Sequence, residues 1–363
     1  MKKLLVFAVA LFAIIGLTAC GGGPKEIVLI TDKGDITDKS FNQGAYEGVK
    51  AYAKENGISY GYIKPTEAAT AQYISAIEQA IADGAKVIVT PGYLFEEPVN
   101  AVQKDHPDIK FILLDGNPAN ATNGTLESNV YSVFYAEEQS GFLAGYAAVK
   151  DGYRKLGFMG GMAVPAVQRF GHGFVQGATA AALELQLAAN AVSVDYLYTG
   201  DFAATPEVQA AAAAMYQSGV EVIFACGGAV GQSVMAAAAS ANKKVIGVDV
   251  DQSFDSPTVI TSATKNLSQS VIQALEAIYE TGKWESDFGG VSAILDAAKD
   301  GVNLPMANSK FSTFTNADYQ SIFNKLVDGT QEVSDVIGEF GDDGSAAKQF
   351  GTAEVKVNVI PFE

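Results

Sequence analysis

The chain has 363 residues, of which 48% are hydrophobic and 18% charged, with a net charge of −17. That length exceeds a single small core and suits two domains, and the apolar share excludes a disordered chain. The acidic balance excludes capture of nucleic acid or of anionic headgroups through a general field, and the carboxylates, spread along the chain, read mainly as solvated surface.

The first segment reads as an export signal. Lys2 and Lys3 precede an almost unbroken apolar run from Leu4 to Leu17. A helix that spans a bilayer takes about 20 apolar residues, so the run is short for that purpose. Leu17-Thr18-Ala19-Cys20, followed by Gly21-Gly22-Gly23, resembles the bacterial lipobox. Residues 1–19 are therefore expected to be removed, Cys20 to carry the lipid, and residues 20–24 to form a flexible tether at the outer face of the cell membrane. Removal leaves 344 residues and a mature chain more acidic by two, because the signal carries two lysines and no acids. The other cysteine, Cys226, then has no partner for an internal disulfide; it ends the apolar run Val222–Cys226 and reads as a small buried hydrophobe. With two histidines, His106 and His172, and no CxxC or HExxH spacing, no metal and no cofactor is expected.

Beyond the tether, strands and helices alternate. The first series has strand 25–31, helix 41–56, strand 59–64, helix 70–82, strand 87–91, a helix near 98–104 and strand 111–115. A second begins near Gly141, with strand 155–160, helix 164–185, strand 192–198, helix 206–218, strand 220–226, helix 230–241 and strand 244–249. The strands are short, continuous apolar runs, as required when helices cover both faces of a parallel sheet. The fold class is α/β, with two doubly wound parallel-sheet lobes and a ligand cleft where the carboxyl ends of their strands meet. Strand 258–262, helix 268–282, an extended stretch 289–296, helix 317–327 and strand 355–360 follow, with 332–352 read as loop. The expected division is residues 25–140 plus about 254–285 in the first lobe, and 141–253 plus about 286–363 in the second.

The cleft selects residues at strand ends. Asp32, Asp115, Asp249 and Asp251 all stand there, where a carboxylate accepts hydrogen bonds from ligand hydroxyls or ring N–H groups; helix capping or solvation is the alternative for each. Between Asp249 and Asp251 the sequence does not decide, and Asp249 is favoured as nearer the strand end. In Asp38-Lys39-Ser40-Phe41-Asn42, Ser40 is placed to cap the following helix and Phe41 to offer a flat stacking face, with core packing as its ordinary alternative. Phe202, after a strand of the other lobe, supplies a second such face. Gly227 and Gly228 lie between a strand and a helix, where backbone N–H groups become available, and Lys265 is a candidate hydroxyl-binding cation. A Walker lysine, a G-x-G-x-x-G in the right context and a G-x-S-x-G are absent, so neither nucleotide phosphate binding nor an enzyme is expected.

These residues carry a resemblance. Asp38-Lys39-Ser40-Phe41-Asn42-Gln43 with Gly44 and Gly48, the run Phe111–Asp115, Gly141–Gly145, Val164–Phe170 with Gly173-Phe174, and Val245–Gln252 together resemble the basic membrane protein (BMP) family, lipoproteins related to the purine nucleoside receptors of bacterial ABC transporters. The resemblance covers about residues 25–280. It implies a type I periplasmic-binding-protein fold, with two lobes joined by three crossovers and closing on a nucleoside. By it, Phe41 and Phe202 stack on the base, Asn42 lies near it and Asp115 bonds to its nitrogens; Asp32, the Gly227–Gly228 turn, Asp249 or Asp251, and Lys265 hold the ribose. The expected function is thus that of a monomeric, lipid-anchored substrate-binding protein that hands a nucleoside to an ABC permease. A sugar- or autoinducer-binding relative is the alternative, with a surface nucleosidase or an adhesin behind it.

Overall fold

The computed structural model describes residues 23–362; the signal segment 1–19 and Cys20 lie outside the described residues. In chain order the strands are β1 (Ile27–Ile30), β2 (Tyr60–Ile63), β3 (Val87–Pro91), β4 (Lys110–Leu114), β5 (Val130–Tyr135), β6 (Lys155–Gly160), β7 (Val192–Tyr198), β8 (Val222–Cys226), β9 (Lys244–Asp249), β10 (Val259–Lys265), β11 (Val291–Leu295), β12 (Val302–Asn303) and β13 (Val355–Val359). Between them run α1 (Phe41–Asn56), α2 (Thr70–Ala82), α3 (Glu96–Val102), α4 (Glu137–Lys150), α5 (Pro165–Glu184), α6 (Pro206–Gln217), α7 (Val230–Ala241), α8 (Leu267–Tyr279) and α9 (Asn316–Val327).

The strands form two sheets, ordered β11-β5-β4-β3-β1-β2 and β12-β10-β9-β8-β6-β7-β13, parallel throughout except for the short β12. Central strands such as Ile27–Ile30 and Val222–Cys226 are buried at every residue, which accounts for their unbroken apolar sequence. The order β2-β1-β3-β4-β5 of the first sheet repeats as β7-β6-β8-β9-β10 in the second, so each lobe is the same doubly wound unit.

The chain passes between the lobes three times: after β5, after β10 and after β11. Two strands lie in the lobe opposite to that expected. β10, placed by its position in the first lobe, is hydrogen-bonded along β9 and extends the second sheet, while β11, placed in the second lobe, pairs with β5 in the first. The reason is local. The link from β9 to β10 is nine residues long and holds no helix, so β10 is laid down beside the strand it has just left. α8 then carries the chain back by packing on α1, where Gly48 permits close contact: a Cβ there would lie 2.7 Å from the Ser268 carbonyl oxygen.

β5 and α4 are elements that periodicity did not show. α4 is buried on almost every face, from Glu137 to Val149, and so carries no amphipathic stripe to read. It lies against α5 across a seam of glycines. A Cβ at Gly141 would come within 2.1 Å of the Phe170 carbonyl oxygen, and one at Gly145 within 2.0 Å of that of Phe174. Gly173 and Gly177 answer from α5, where an added Cβ would come within 2.0 Å and 1.9 Å of the carbonyl oxygens of Glu138 and Phe142. The stretch 332–352 is irregular as expected, save for a short 3-10 turn at Ser345–Phe350.

The seam makes a test of stability. Gly145→Ala should destabilise by at least 1–3 kcal/mol, the usual order for overpacking, because backbone has to move. Gly231→Ala, in α7, where a Cβ meets nothing nearer than 3.8 Å, should be neutral or stabilising by up to about 1 kcal/mol. Urea unfolding of the two variants measures both.

Candidate functional site

The carboxyl ends of both sheets face one cavity of about 750 Å³. In each lobe the fourth strand delivers an aspartate to it in the same way. Asp115 follows β4 with φ 54° and Asp249 closes β9 with φ 65°, both in the left-handed region that Asp tolerates better than most residues.

At the start of α1, Asp38 does the capping that the sequence assigns to Ser40. Its carboxylate accepts from the backbone N–H groups of Ser40 (2.8 Å), Asn42 (3.0 Å) and Gln43 (3.1 Å). Being longer by one carbon and two residues upstream, it reaches all three, which frees the Ser40 hydroxyl to donate to Asp249 Oδ2 at 2.5 Å, from one lobe to the other. Asn42 is likewise occupied within its own lobe. Its Nδ2 donates to Asp32 Oδ1 and to Asp38 Oδ2, each at 2.9 Å, and its Oδ1 accepts from the Asp32 N–H. It holds Asp32 at the cavity wall, where burial lifts that carboxyl to about 6.

The centre of the site is Lys265, at the end of β10 and almost fully buried. Its Nζ lies 2.5 Å from Asp115 Oδ2 in the other lobe and 2.8 Å from Glu137 Oε1. It also sits over the Phe41 ring, 5.0 Å from the centroid, with Tyr135 and Phe170 at 5.3 and 5.4 Å. Glu137, the first residue of α4, accepts a second charge-assisted bond from Arg169 Nε at 2.6 Å, so the α4–α5 seam sets this pair. Two buried carboxylates, Asp115 and Glu137, thus share Lys265, Arg169 pairs with Glu137, and Asp249 lies nearby on the Ser40 hydroxyl. Glu137, touched by both cations, is held below the ordinary carboxylate range against its burial. Asp115, desolvated and sharing Lys265 with it, is pushed up to about 7. Its Oδ1 is buried without a hydrogen-bond partner.

Phe202 enters from the second lobe and packs its ring against Gly161, where a Cβ would lie 2.4 Å from Cδ1. Asp201 fixes it by accepting from the Phe202 and Ala203 N–H groups while pairing with Lys33 of the first lobe at 3.0 Å. Gly227 admits the close approach of the β6–α5 loop, 2.6 Å from the Gly161 nitrogen for a Cβ, and Gly228 turns with φ 55°.

Asp32, Phe41, Asn42, Asp115, Phe202, Gly227, Gly228, Asp249 and Lys265 all line the cavity. Asp251 does not. Its carboxylate is turned into its own loop, accepting from the Ser253 N–H and from Asn308 Nδ2 at 2.7 Å, and it is withdrawn from the candidate set. Lys265 is a partner of carboxylates rather than an unengaged cation waiting for hydroxyls. Cys226 is buried at the cavity floor and its thiol is pushed up by burial. His106 pairs with Glu78, and His172 is buried along α5.

Sequence reasoning missed Glu137, Arg169, Tyr93, Ile337 and Phe340, which belong to the site or its rim. Arg169 had a signal, as the one full cation in a helix that starts beyond a strand end. Ile337 and Phe340 had none, since they come from an irregular segment far along the chain.

Two α/β lobes enclosing a polar-and-aromatic cleft between strand ends define a solute-binding protein of the periplasmic-binding type. Among solved structures, an ABC transporter solute-binding protein from Aeropyrum pernix K1 superposes with a TM-score of 0.72 at 22% identity, over 86% of this chain and 94% of that one. Residues 25–335 match the Bmp family, described as ABC transporter substrate-binding protein PnrA-like, and the chain belongs to that family. Its relatives include the ABC transporter nucleoside-binding protein BmpA of Lactococcus lactis subsp. cremoris, 30% identical over 85% of this chain and 93% of that protein. They also include Basic membrane protein A1 of Borrelia garinii subsp. bavariensis, 32% identical over 75% of this chain and 79% of that protein.

The raised carboxyls give a pH signature with a definite sign. Asp32 at about 6, Asp115 at about 7 and Glu138 at about 8 all stand above their unfolded values near 4. The stability they contribute is full below pH 4 and is lost as pH rises through these folded values. The melting temperature of the unliganded chain should therefore fall by several degrees between pH 5 and pH 8. Asp115→Asn, which removes one of these titrations, should make the fall shallower; scanning calorimetry at both pH values checks it.

Proposed function

We propose that this protein captures a nucleoside, a purine nucleoside by preference, in the interlobe cleft and delivers it to an ABC permease, held to the outer face of the membrane through lipid on Cys20. The observation that carries the reading is the pairing of an aromatic from each lobe, Phe41 and Phe202, on one cavity backed by carboxylates. The base would lie between the two rings, with Asp115 accepting from its ring N–H through the oxygen that is otherwise unpartnered. The ribose hydroxyls would donate to Asp32 and Asp249 and meet the Gly227–Gly228 turn, while Lys265 holds Asp115 in place. Asn42 acts in this scheme by fixing Asp32.

The charge balance favours a nucleoside over a nucleotide. The lysine and arginine side chains that line the cavity, Lys33, Lys64, Arg169 and Lys265, are each already paired with a carboxylate. A phosphate would have to compete for them while facing Asp32, Asp115 and Asp249. The name of the Lactococcus lactis relative, a nucleoside-binding protein, supports the same class.

Calorimetric titration with inosine, guanosine, adenosine, uridine and ribose tests the reading. Purine nucleosides should bind, uridine more weakly and ribose not measurably; silence for all five sinks the proposal, and binding of ribose alone would make this a sugar receptor. Stacking is worth about 1–3 kcal/mol per base in comparable sites. Phe41→Ala should therefore weaken inosine binding by about five- to 150-fold, and an unchanged affinity would remove Phe41 from the site.

A further inference from the structure

The segment 332–341 crosses the second lobe without regular structure, yet it is tightly held. Gln168, His172 and Gln176 stand four residues apart on one face of α5 and bind its main chain in succession. Gln176 donates through Nε2 to the Ser334 carbonyl (2.9 Å) and accepts the Ser334 N–H (2.8 Å). His172 donates from Nδ1 to the Val336 carbonyl at 2.9 Å. Gln168 donates to the Glu339 carbonyl (2.9 Å) and accepts the Gly338 N–H (2.7 Å). The Gly341 N–H then donates to the Ala163 carbonyl at 3.1 Å. Side-chain amides here do the work of a neighbouring strand.

The product of this ladder is the position of one side chain. Phe340 has its neighbours on both sides pinned to the second lobe, while its own ring remains 63% exposed at the cavity rim. The ring that faces it is Tyr93 of the first lobe, 6.0 Å between centroids and inclined at 60°. Tyr93 stands on the turn after β3, beside the cavity. Elsewhere on the mouth the lobes are joined by the Lys33–Asp201 ion pair. A second ion pair, Lys39–Asp255, also joins the lobes, so the Phe340–Tyr93 pair is an aromatic contact among ionic ones. An exposed phenylalanine contributes little to folding, and so elaborate a support for one is unexplained by stability alone.

We propose that the 332–341 segment is a gate strap: Phe340 closes on Tyr93 over the occupied cleft and sets how long the ligand is retained, with Gln168 and Gln176 as positioning residues. Opening the lobes has to part this aromatic pair, and ligand escape follows that parting. The strap acts on the dissociation step, because capture occurs while the lobes are already apart. This inference rests on the nucleoside reading for its probe, but not for its geometry.

The experiment uses the full chain and inosine. Phe340→Ala should raise the dissociation rate about tenfold and change the association rate less than twofold. Tyr93→Ala should do the same, and the double variant no more than either alone. Gln168→Leu with Gln176→Leu, which touches no cleft side chain, should reproduce the faster release, and adding Phe340→Ala to it should give no further increase. A merely structural role would lower the melting temperature and leave release unchanged. Small-angle scattering of the ligand-free chain gives a readout independent of inosine, and Phe340→Ala should enlarge the radius of gyration by favouring open lobes. Release within twofold of the wild type in Phe340→Ala overturns the gate. If the wild type binds no nucleoside, expansion in scattering keeps the gate and rejects the nucleoside reading, whereas unchanged scattering rejects the gate as well.

Discussion

The cleft depends on one buried ammonium. Lys265 ends a strand of the second lobe, bonds to Asp115 of the first and to Glu137 at the head of the helix after the first crossover, and through Glu137 reaches Arg169 on α5. Burial of so many charges is expensive, and an apolar cluster of the same volume would hold the lobes as firmly. What the ionic arrangement adds is direction. Each charge is satisfied only when α4, α5, β4 and β10 meet at one point, so the network ties the register of both lobes to the shape of the cavity. It also leaves Asp115 Oδ1 buried without a hydrogen-bond partner.

The repetition of the lobe explains how a site with several carboxylates is assembled from ordinary parts. Equivalent strands, β4 and β9, end in aspartates with the same left-handed turn, and equivalent loops after β3 and β8 begin with Gly92 and Gly227. Facing two copies of one unit produces acceptors on opposite walls. The copies differ in Phe202 and the Lys265 network on one side and in the Asp38–Asn42–Asp32 chain on the other.

Much of this was legible in the residues. The unbroken apolar runs marked eleven of the strands' positions well enough to locate the cleft, and strand-end position alone picked out Asp32, Asp115 and Asp249. Three kinds of information were not local. α4 is buried on nearly all sides and has no periodicity to detect. The lobe to which β10 and β11 belong is decided by pairing across the chain, which no window of sequence contains. The rim residues Ile337 and Phe340 reach the cavity only because side chains of a distant helix hold an irregular segment there. Ser40 shows a subtler limit, since a good capping residue was displaced by a better-placed carboxylate two residues earlier and put to another use.

The glycine seam between α4 and α5 has a mechanical consequence. Helices that slide past one another need ridges of side chains that can step from groove to groove; here four glycines bring backbone against backbone, with no ridge to climb. α4 is therefore welded to the second lobe from its first turn, although it directly follows a strand of the first. Shear along that contact is disfavoured, and relative movement of the lobes falls on Ala136, the one residue between β5 and α4, and on the two other crossings. The second lobe works as a lever with a short fulcrum, which turns a small rotation at Ala136 into a wide displacement at the far rim.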